Sequence, residues 1–576
     1  MKPSAAFTYR NIPDSFGTNA YLSDPDFAHL LRIYLDKNLL AAIEPRFQEL
    51  GGLVRSELET LALTADKNPP VLHLRARNSS ESQRIEKHPS YVALERYAFS
   101  EFGLAAMSHR GGVFGQADKL PPVVKYGLTL LFVQAEFGLC CPLSMTDSLT
   151  RTLSKFGAQD LIDRYVPMLT TQSFEDLFQG AMFITEQDAG SDVGAVTTQA
   201  RFENGVWKLY GDKWFCSNAD ADLAMVLARP QDGAPGTKGL SLFLLPRRLK
   251  DGSLNAYRII RLKSKLGTRS MASGEISLDG AEAYLVGEPA SGFKQMTDMI
   301  NMSRLSNGVR SAGLMLRAVG EAQYIARNRN AFGRALIDLP LMQRQLVKMI
   351  VTAEQGRAMV LHTAEVLRRA DAGDPQQAKL LRILTPLIKF RTCRDARKVT
   401  GDGMEVRGGS GYIEEWSDAR VLRDSHLGSI WEGTSNVVAL DVKRAIRREG
   451  ALAALKAYGE ELLGDPAVPA ASREHLGKAL ARACAFADTI ANAPDRDQEV
   501  RRMASGLYHA ASAIVLAWEG ARSGRWRRLA LAHLVLRHKL MQNDPLMPAA
   551  DDSLLVERLV ANQDVDQALA ATALPV

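Results

Sequence analysis

The sequence predicts a mainly helical α+β chain, and three observations carry that prediction. Apolar residues three and four apart run through most of the first 180 residues, as in FAHLLRIYLDKNLLAAI and VKYGLTLLFVQAEFG. Around Met182 the pattern shortens to alternating runs such as VWKLYG, LSLFLLP and EISLDGAEAYLV, separated by NG, DG and PG turns. Near Gly292 helical spacing returns, in LSNGVRSAGLMLRAVGEAQYIARNR and PLMQRQLVKMIVTAEQGRAMVLHTAEVLRRA. The expected order is an N-terminal helical domain over 1–180, a central β domain over 181–290, a C-terminal helical bundle over 291–447 and a helical extension over 448–576.

Within the first segment, the polar, turn-rich stretch from Ala76 to Pro89 reads as a loop. The extension is broken at GDPAVPAAS and ANAPDRDQ, and no repeat of solenoid period occurs. At 576 residues the chain exceeds a single core, and its 46% apolar and 24% charged residues are ordinary for a globular protein. A net charge of +6 permits an anionic partner without requiring one. Five cysteines with no CxxC and no Cys/His metal spacing read as free thiols of a reducing compartment. The N-terminus lacks the apolar run of a signal peptide, and the most apolar stretch is interrupted by Gln134 and Glu136, so the expected location is cytoplasmic with no membrane span.

Four stretches could carry chemistry. In FITEQDAGSDVGAVTTQA, a Gly-Ser-Asp turn beside Thr185 offers hydroxyls and backbone N–H groups that could hold a phosphate or a heterocycle edge. In GDKWFCSNADADL, Trp214 and Phe215 could wall a planar ring, with a hydroxyl at Ser217. RNRNAFGR places Phe332-Gly333 among basic residues at a helix end. MEVRGGSGYIEEWSDARVLRDSHLGSIWEGTSN combines a Gly408-Gly409 pair with an Arg423-Asp424 ion pair and Glu432 at a loop-to-helix junction, with no basic residue from 428 to 437. Taken singly, each has a plainer reading as a turn, core aromatics, a helix end or a solvated acid.

The order of the four resembles the FAD-dependent acyl-CoA dehydrogenases. TEQDAGSD, WFCSN, KLGTRS, AFGR, GGSGY and RD followed by WEGTSN fall in that family's sequence, from about Tyr126 to Arg448. The resemblance implies a β-barrel-like middle domain, an FAD cofactor, an acyl-CoA thioester substrate, an electron-transfer flavoprotein as acceptor and a homotetramer. It implies Glu432 as the base that takes the thioester α-proton while flavin N5 takes the β-hydride. Ser303 occupies the alternative position for a base, before Arg304-Leu305. By the same resemblance Thr185, Ser191, Phe215 and Ser217 contact the flavin and its pyrophosphate. Arg329 and Phe332 reach the FAD of a neighbouring subunit, and Glu405, Gly408 and Gly409 lie along the adenosine. Met182, Gly190, Cys216, Trp431, Thr434 and Asn436 complete the expected cofactor contacts.

NAYLSD, KNPPVLHLRA, KHPSYVAL, CPLSMTDS and the extension further resemble the AidB-like branch of that family, proteins of the DNA alkylation response that bind double-stranded DNA. From Asp441 onward there are 18 Lys/Arg against 17 Asp/Glu, so composition gives little support. Distribution gives more: no acid lies between Glu519 and Asp544, whereas Arg522, Arg525, Arg527, Arg528, Arg537 and Lys539 do. These six are the candidate duplex contacts.

Overall fold

The computed structural model describes residues 12–541, 546 and 551–575. The N-terminal helices run from Phe27–Tyr34 to Gln159–Leu169. Asp36 starts the second of them by accepting from the N–H groups of Asn38 and Leu39.

The stretch expected to be a loop contains a strand. Val71–Arg75 pairs antiparallel with Glu81–Glu86. The second strand is too short and polar to announce itself by periodicity. It forms because it docks on the β domain: Ile85 joins that domain's core, and the Gln83 side chain accepts the Ile259 N–H at 2.7 Å.

The central sheet has seven strands. Leu223–Pro230, Gln199–Glu203, Val206–Ser217, Ser273–Val286 and Ser241–Pro246 pair in that order, and Ser241–Pro246 pairs back onto Leu223–Pro230, closing a barrel-like ring. Gly180–Phe183 and Tyr257–Leu262 add to it at the side. Asn204 and Gly205, both at positive φ (52° and 83°), form the two-residue turn that the NG dipeptide foretells. Phe183, Leu209, Cys216, Val226, Phe243 and Ile276 fill the interior.

Three long helices, Gly292–Asn328, Pro340–Asp371 and Pro375–Arg407, form the bundle. At Gly308 a Cβ would lie 2.0 Å from Ile388 Cγ2, so the absent side chain sets how closely the first and third helices approach. The extension packs Ala451–Gly464, Ala470–Asn492, Val500–Ser523 and Trp526–Val535 onto the bundle and shares one continuous apolar core with it and with the N-terminal helices.

The loop holding KLGTRS locks the three parts together. The Thr268 N–H donates to Asp424 Oδ1 at 2.6 Å, and Ser270 Oγ donates to Glu136 at 2.9 Å. Arg423 and Asp424 are not paired with each other as expected: Arg423 bonds Asp66 and Glu414, while Asp424 faces Arg420 and Thr268. Neighbouring helical residues point about 100° apart, which sends the two side chains to different partners. All five cysteines are free and buried. No helix of the described residues is long and apolar enough to cross a membrane.

Candidate active site

Glu432 sits in the short loop between the helices Ser417–Leu427 and Ser435–Glu449, in the left-handed backbone region at φ 47°. Such a conformation in a non-glycine residue has to be held from outside. Two buried or nearly buried cations hold it. Lys389 donates to the carbonyls of Gly428 at 2.6 Å and Gly433 at 3.2 Å, and Arg304 Nε donates to the Glu432 carbonyl at 3.2 Å. Arg304 is fixed in turn by Asp441 at 2.7 Å. Burial lowers the Lys389 pKa, opposed by Cys393 and Glu432. The carboxylate accepts a hydrogen bond from Asn307 Nδ2. The local sequence supplies Glu432 with no cation; the bundle does.

Beside it, Trp431 stacks on Phe137 at 5.8 Å, and the Arg310 guanidinium lies 4.6 Å from the Trp431 ring. Asn307, Arg310 and Lys389 escaped the sequence reading. For Asn307 and Arg310 a signal was present in SRLSNGVR, where Ser303, Asn307 and Arg310 put three polar residues on one face of a helix that the apolar pattern buries; for Lys389 there was none.

The segments expected to meet FAD are neighbours. The Trp214 N–H donates to the Thr185 carbonyl at 2.8 Å, joining the TEQDAGSD and WFCSN stretches. The loop that carries Gly190 and Ser191 is anchored at its base by Glu186, which binds Lys213 at 2.7 Å and the N–H of Thr197 at 2.7 Å. Burial opposes its ionisation, but Lys213 and the threonine hydrogen bonds bring its pKa down to about 2. Gly190 and Ser191 are exposed above that anchor, and Met182 lies half-buried in the adjoining strand. Phe215 is 58% exposed, an unusual position for a large ring on a strand, and Ser217 follows on the same face. The Cys216 thiol points into the β interior, since alternate strand residues face opposite sides, so its side chain is turned away from the exposed face of Phe215.

Arg329 Nη1 donates to the Arg407 carbonyl at 3.0 Å, which brings the AFGR turn against Gly408, at φ 74°, with Glu405 and Gly409 exposed beside it. Phe332 is 93% exposed. Thr434 and Asn436 stand exposed at the start of the helix Ser435–Glu449. An exposed aromatic wall, a glycine at 409 with open space around it and a buried Trp431 Nε1 without a partner among the described residues fit a large planar cofactor with a phosphate-bearing tail.

The six basic residues of the extension do not form an exposed patch. Arg528 is fully buried and bonds Glu519 and Glu354; Arg527 donates to the Leu559 carbonyl and lies 3.4 Å from Asp26. Arg525 pairs with Asp564 at 2.9 Å and Arg537 donates to the Thr572 carbonyl at 2.7 Å. Arg522 and Lys539 are exposed. The reading of GARSGRWRR as a phosphate-contacting loop is therefore corrected: the acids that neutralise it come from distant segments, Asp26 and Glu354 among them, which a local charge count cannot see. The groove beside it, about 840 Å³, presents Arg558 together with Asp564 and Asp566, both signs of charge.

A closed β ring between helical layers, with a carboxylate fixed on a strained loop by the bundle, fits an FAD-dependent dehydrogenase of the acyl-CoA class, and the chain belongs to the acyl-CoA dehydrogenase family. Its residues 290–447 match the acyl-CoA dehydrogenase C-terminal domain, 181–281 the middle domain, and 11–176 the N-terminal domain of the adaptive response protein AidB. It is 33% identical to AidB of Escherichia coli over 75% of this chain and 79% of that one. It is 31% identical to acyl-CoA dehydrogenase family member 11 of Caenorhabditis elegans over 78% of this chain and 74% of that one. The solved Caenorhabditis elegans ACDH-11, in complex with C11-CoA, superimposes with a TM-score of 0.83 at 26% identity, covering 98% of this chain and 95% of that one.

Proposed function

We propose that the protein removes the α and β hydrogens of a short or branched acyl-CoA, with Glu432 as the base. The observation that carries this reading is the fixing of one carboxylate by groups that leave it able to accept a proton: cations on the loop's carbonyls, and a neutral amide on the carboxylate itself. Bound FAD supplies the hydride acceptor. Lys389 and Arg304 keep the loop in its strained form, Asn307 orients the carboxylate, and Trp431 with Phe137 excludes water from one side. A thioester α-proton is weakly acidic, so the developing enolate needs hydrogen-bond donors, and the Glu432 N–H at the turn is one candidate. The matching family models and the ACDH-11 complex with an acyl-CoA support the substrate class.

The same reading gives an electron-transfer flavoprotein as acceptor and a homotetramer in which the exposed Phe332 is covered by a neighbouring subunit. Arg329, Phe332, Glu405, Gly408 and Gly409 would then form the cofactor's outer contacts, and Thr185, Ser191, Phe215 and Ser217 its ring contacts. Binding of duplex DNA, proposed from the likeness to AidB, would have to use exposed cations such as Arg522 and Lys539. Anaerobic titration with straight and branched acyl-CoAs, following flavin absorbance, tests the proposal. Bleaching by one of them supports it, and a flavin that none of them reduces overturns it.

A further inference from the structure

Arg394 Nη1 donates to Ser435 Oγ at 3.3 Å, which sets a guanidinium at the start of the helix Ser435–Glu449, directly after the Glu432 loop. That end of a helix carries partial positive charge and favours an anion, not a cation. Arg394 is not alone there. Arg391 and Arg397 lie one turn to either side on the same face of Pro375–Arg407, and Arg501 arrives from the extension. Lys443, about two turns into Ser435–Glu449, binds Asp497 at 2.8 Å and the Ala493 carbonyl at 2.7 Å, drawing the start of Val500–Ser523 alongside. Tyr508 of that helix meets Thr392 at 3.2 Å. Burial lowers the Arg394 pKa, and Arg501, Arg397 and Arg391 lower it further, opposed by Asp395.

The carboxylates that approach this cluster are engaged elsewhere. Asp395 pairs with Arg391 at 2.7 Å, Asp497 with Lys443, and Glu499 with Arg496. Among the described residues no carboxylate pairs with Arg394, Arg397 or Arg501, and Arg397 Nε is buried without a hydrogen-bond partner. The place is open to solvent: Thr434, Asn436 and Arg501 are exposed, while Arg394 and Arg397 are half-buried. The Thr434 side chain caps none of the first-turn N–H groups. Three cations gathered at the positive end of a helix repel one another, and a bound anion offsets that repulsion.

We propose that Arg394, Arg397 and Arg501 bind a nucleotide diphosphate at the start of this helix, a chemistry that FAD and coenzyme A share. The inference rests on the acyl-CoA dehydrogenase reading and adds to the nucleotide site a cation from the extension. A planar guanidinium fork presents paired N–H donors to phosphate oxygens, and the uncapped helix N–H groups supply further donors to the same anion.

The experiment takes the FAD-loaded protein and measures FAD release on dilution, by flavin fluorescence, and coenzyme A binding, by calorimetry. Arg394→Gln and Arg501→Gln should each weaken retention of one of the two ligands by about tenfold, as expected for a charge-assisted contact. Arg394→Lys should keep part of it. Arg502→Gln, an exposed neighbour whose guanidinium lies 5.2 Å from the Phe486 ring, makes the same change in net charge and should alter neither ligand. Circular dichroism reports folding, and Arg501, at the surface, is a change the fold tolerates. Faster FAD release with coenzyme A binding unchanged assigns the diphosphate to FAD, and the converse assigns it to coenzyme A. Unchanged behaviour toward both in Arg394→Gln and Arg501→Gln overturns the proposal, as does an equal loss in Arg502→Gln. A loss confined to duplex DNA binding overturns it too and gives these arginines to DNA. Flavin bleaching by acyl-CoA is read separately: nucleotide loss in the variants, with no bleaching in the wild type, sinks the dehydrogenase reading and leaves the diphosphate site standing.

Discussion

Arg528 donates through Nη1 to Glu354 at 2.8 Å and through Nε to Glu519 at 3.0 Å, tying the extension to the bundle inside the protein. Asp26, at the start of the first helix, lies within 3.9 Å of Arg357 and within 3.6 Å of Arg525, Arg527 and Arg528, so the same network reaches the N-terminal helices. Tyr34 joins it by donating to Glu519 at 2.7 Å.

Removing one member of such a network leaves its partners charged and buried. Arg528→Met should destabilise the protein by about 3–5 kcal/mol in denaturant unfolding. Joint neutralisation of Arg522 and Lys539, both exposed, should change stability by no more than about 0.5 kcal/mol. If duplex binding exists, only the second variant reports on it cleanly: a loss of salt-sensitive binding there, with an unchanged melting curve, would locate the contact. Wild-type stability in Arg528→Met would show that the network contributes nothing.

Glu432→Gln should retain FAD and the fold while losing flavin reduction by acyl-CoA, because the amide keeps the Asn307 neighbour but cannot take a proton. Lys389→Met should act one step away. It strands the carbonyls of Gly428 and Gly433, lowering stability by about 1–3 kcal/mol, and lets the Glu432 loop relax. The expected result is a fall in kcat with FAD still bound. Full turnover in Glu432→Gln would transfer the role of base to another group.

The layered order of helices, β ring and bundle was legible because each period extends over enough residues to be read, and the NG turn because its chemistry is local. Glu432 was singled out by the motifs around it. What held it was not: Lys389 and Asn307 come from helices more than 40 residues away in sequence, and nothing near Glu432 names them. The strand Glu81–Glu86 failed for a related reason, since its partner surface lies in the β domain. The arginines of the extension show the reverse error, a run without local acids whose counter-charges arrive by folding.

Phe332 is 93% exposed, and Leu341 and Tyr412 are 87% and 80% exposed. Large apolar side chains this open are expected to be covered by another surface. Phe332→Ser should shift the protein to a smaller species in sedimentation and weaken FAD retention together. A change in neither would place Phe332 outside both the subunit contact and the cofactor site.

Asp424 gives the pH dependence. Burial raises its carboxyl from 3.8 to about 7, helped by Glu136 and opposed by Arg420. Between those two values the folded state holds a proton that the unfolded chain has released. Stability therefore falls as pH rises through that window, by on the order of 2–4 kcal/mol from this group. Asp424→Asn titrates in neither state, yet its amide oxygen can still accept the Thr268 N–H. The melting temperature of the variant relative to wild type should therefore climb from pH 4 to pH 7 and level off above. A constant difference over the whole range would mean that Asp424 is ionised in the folded protein throughout, held by Arg420 more strongly than burial opposes it.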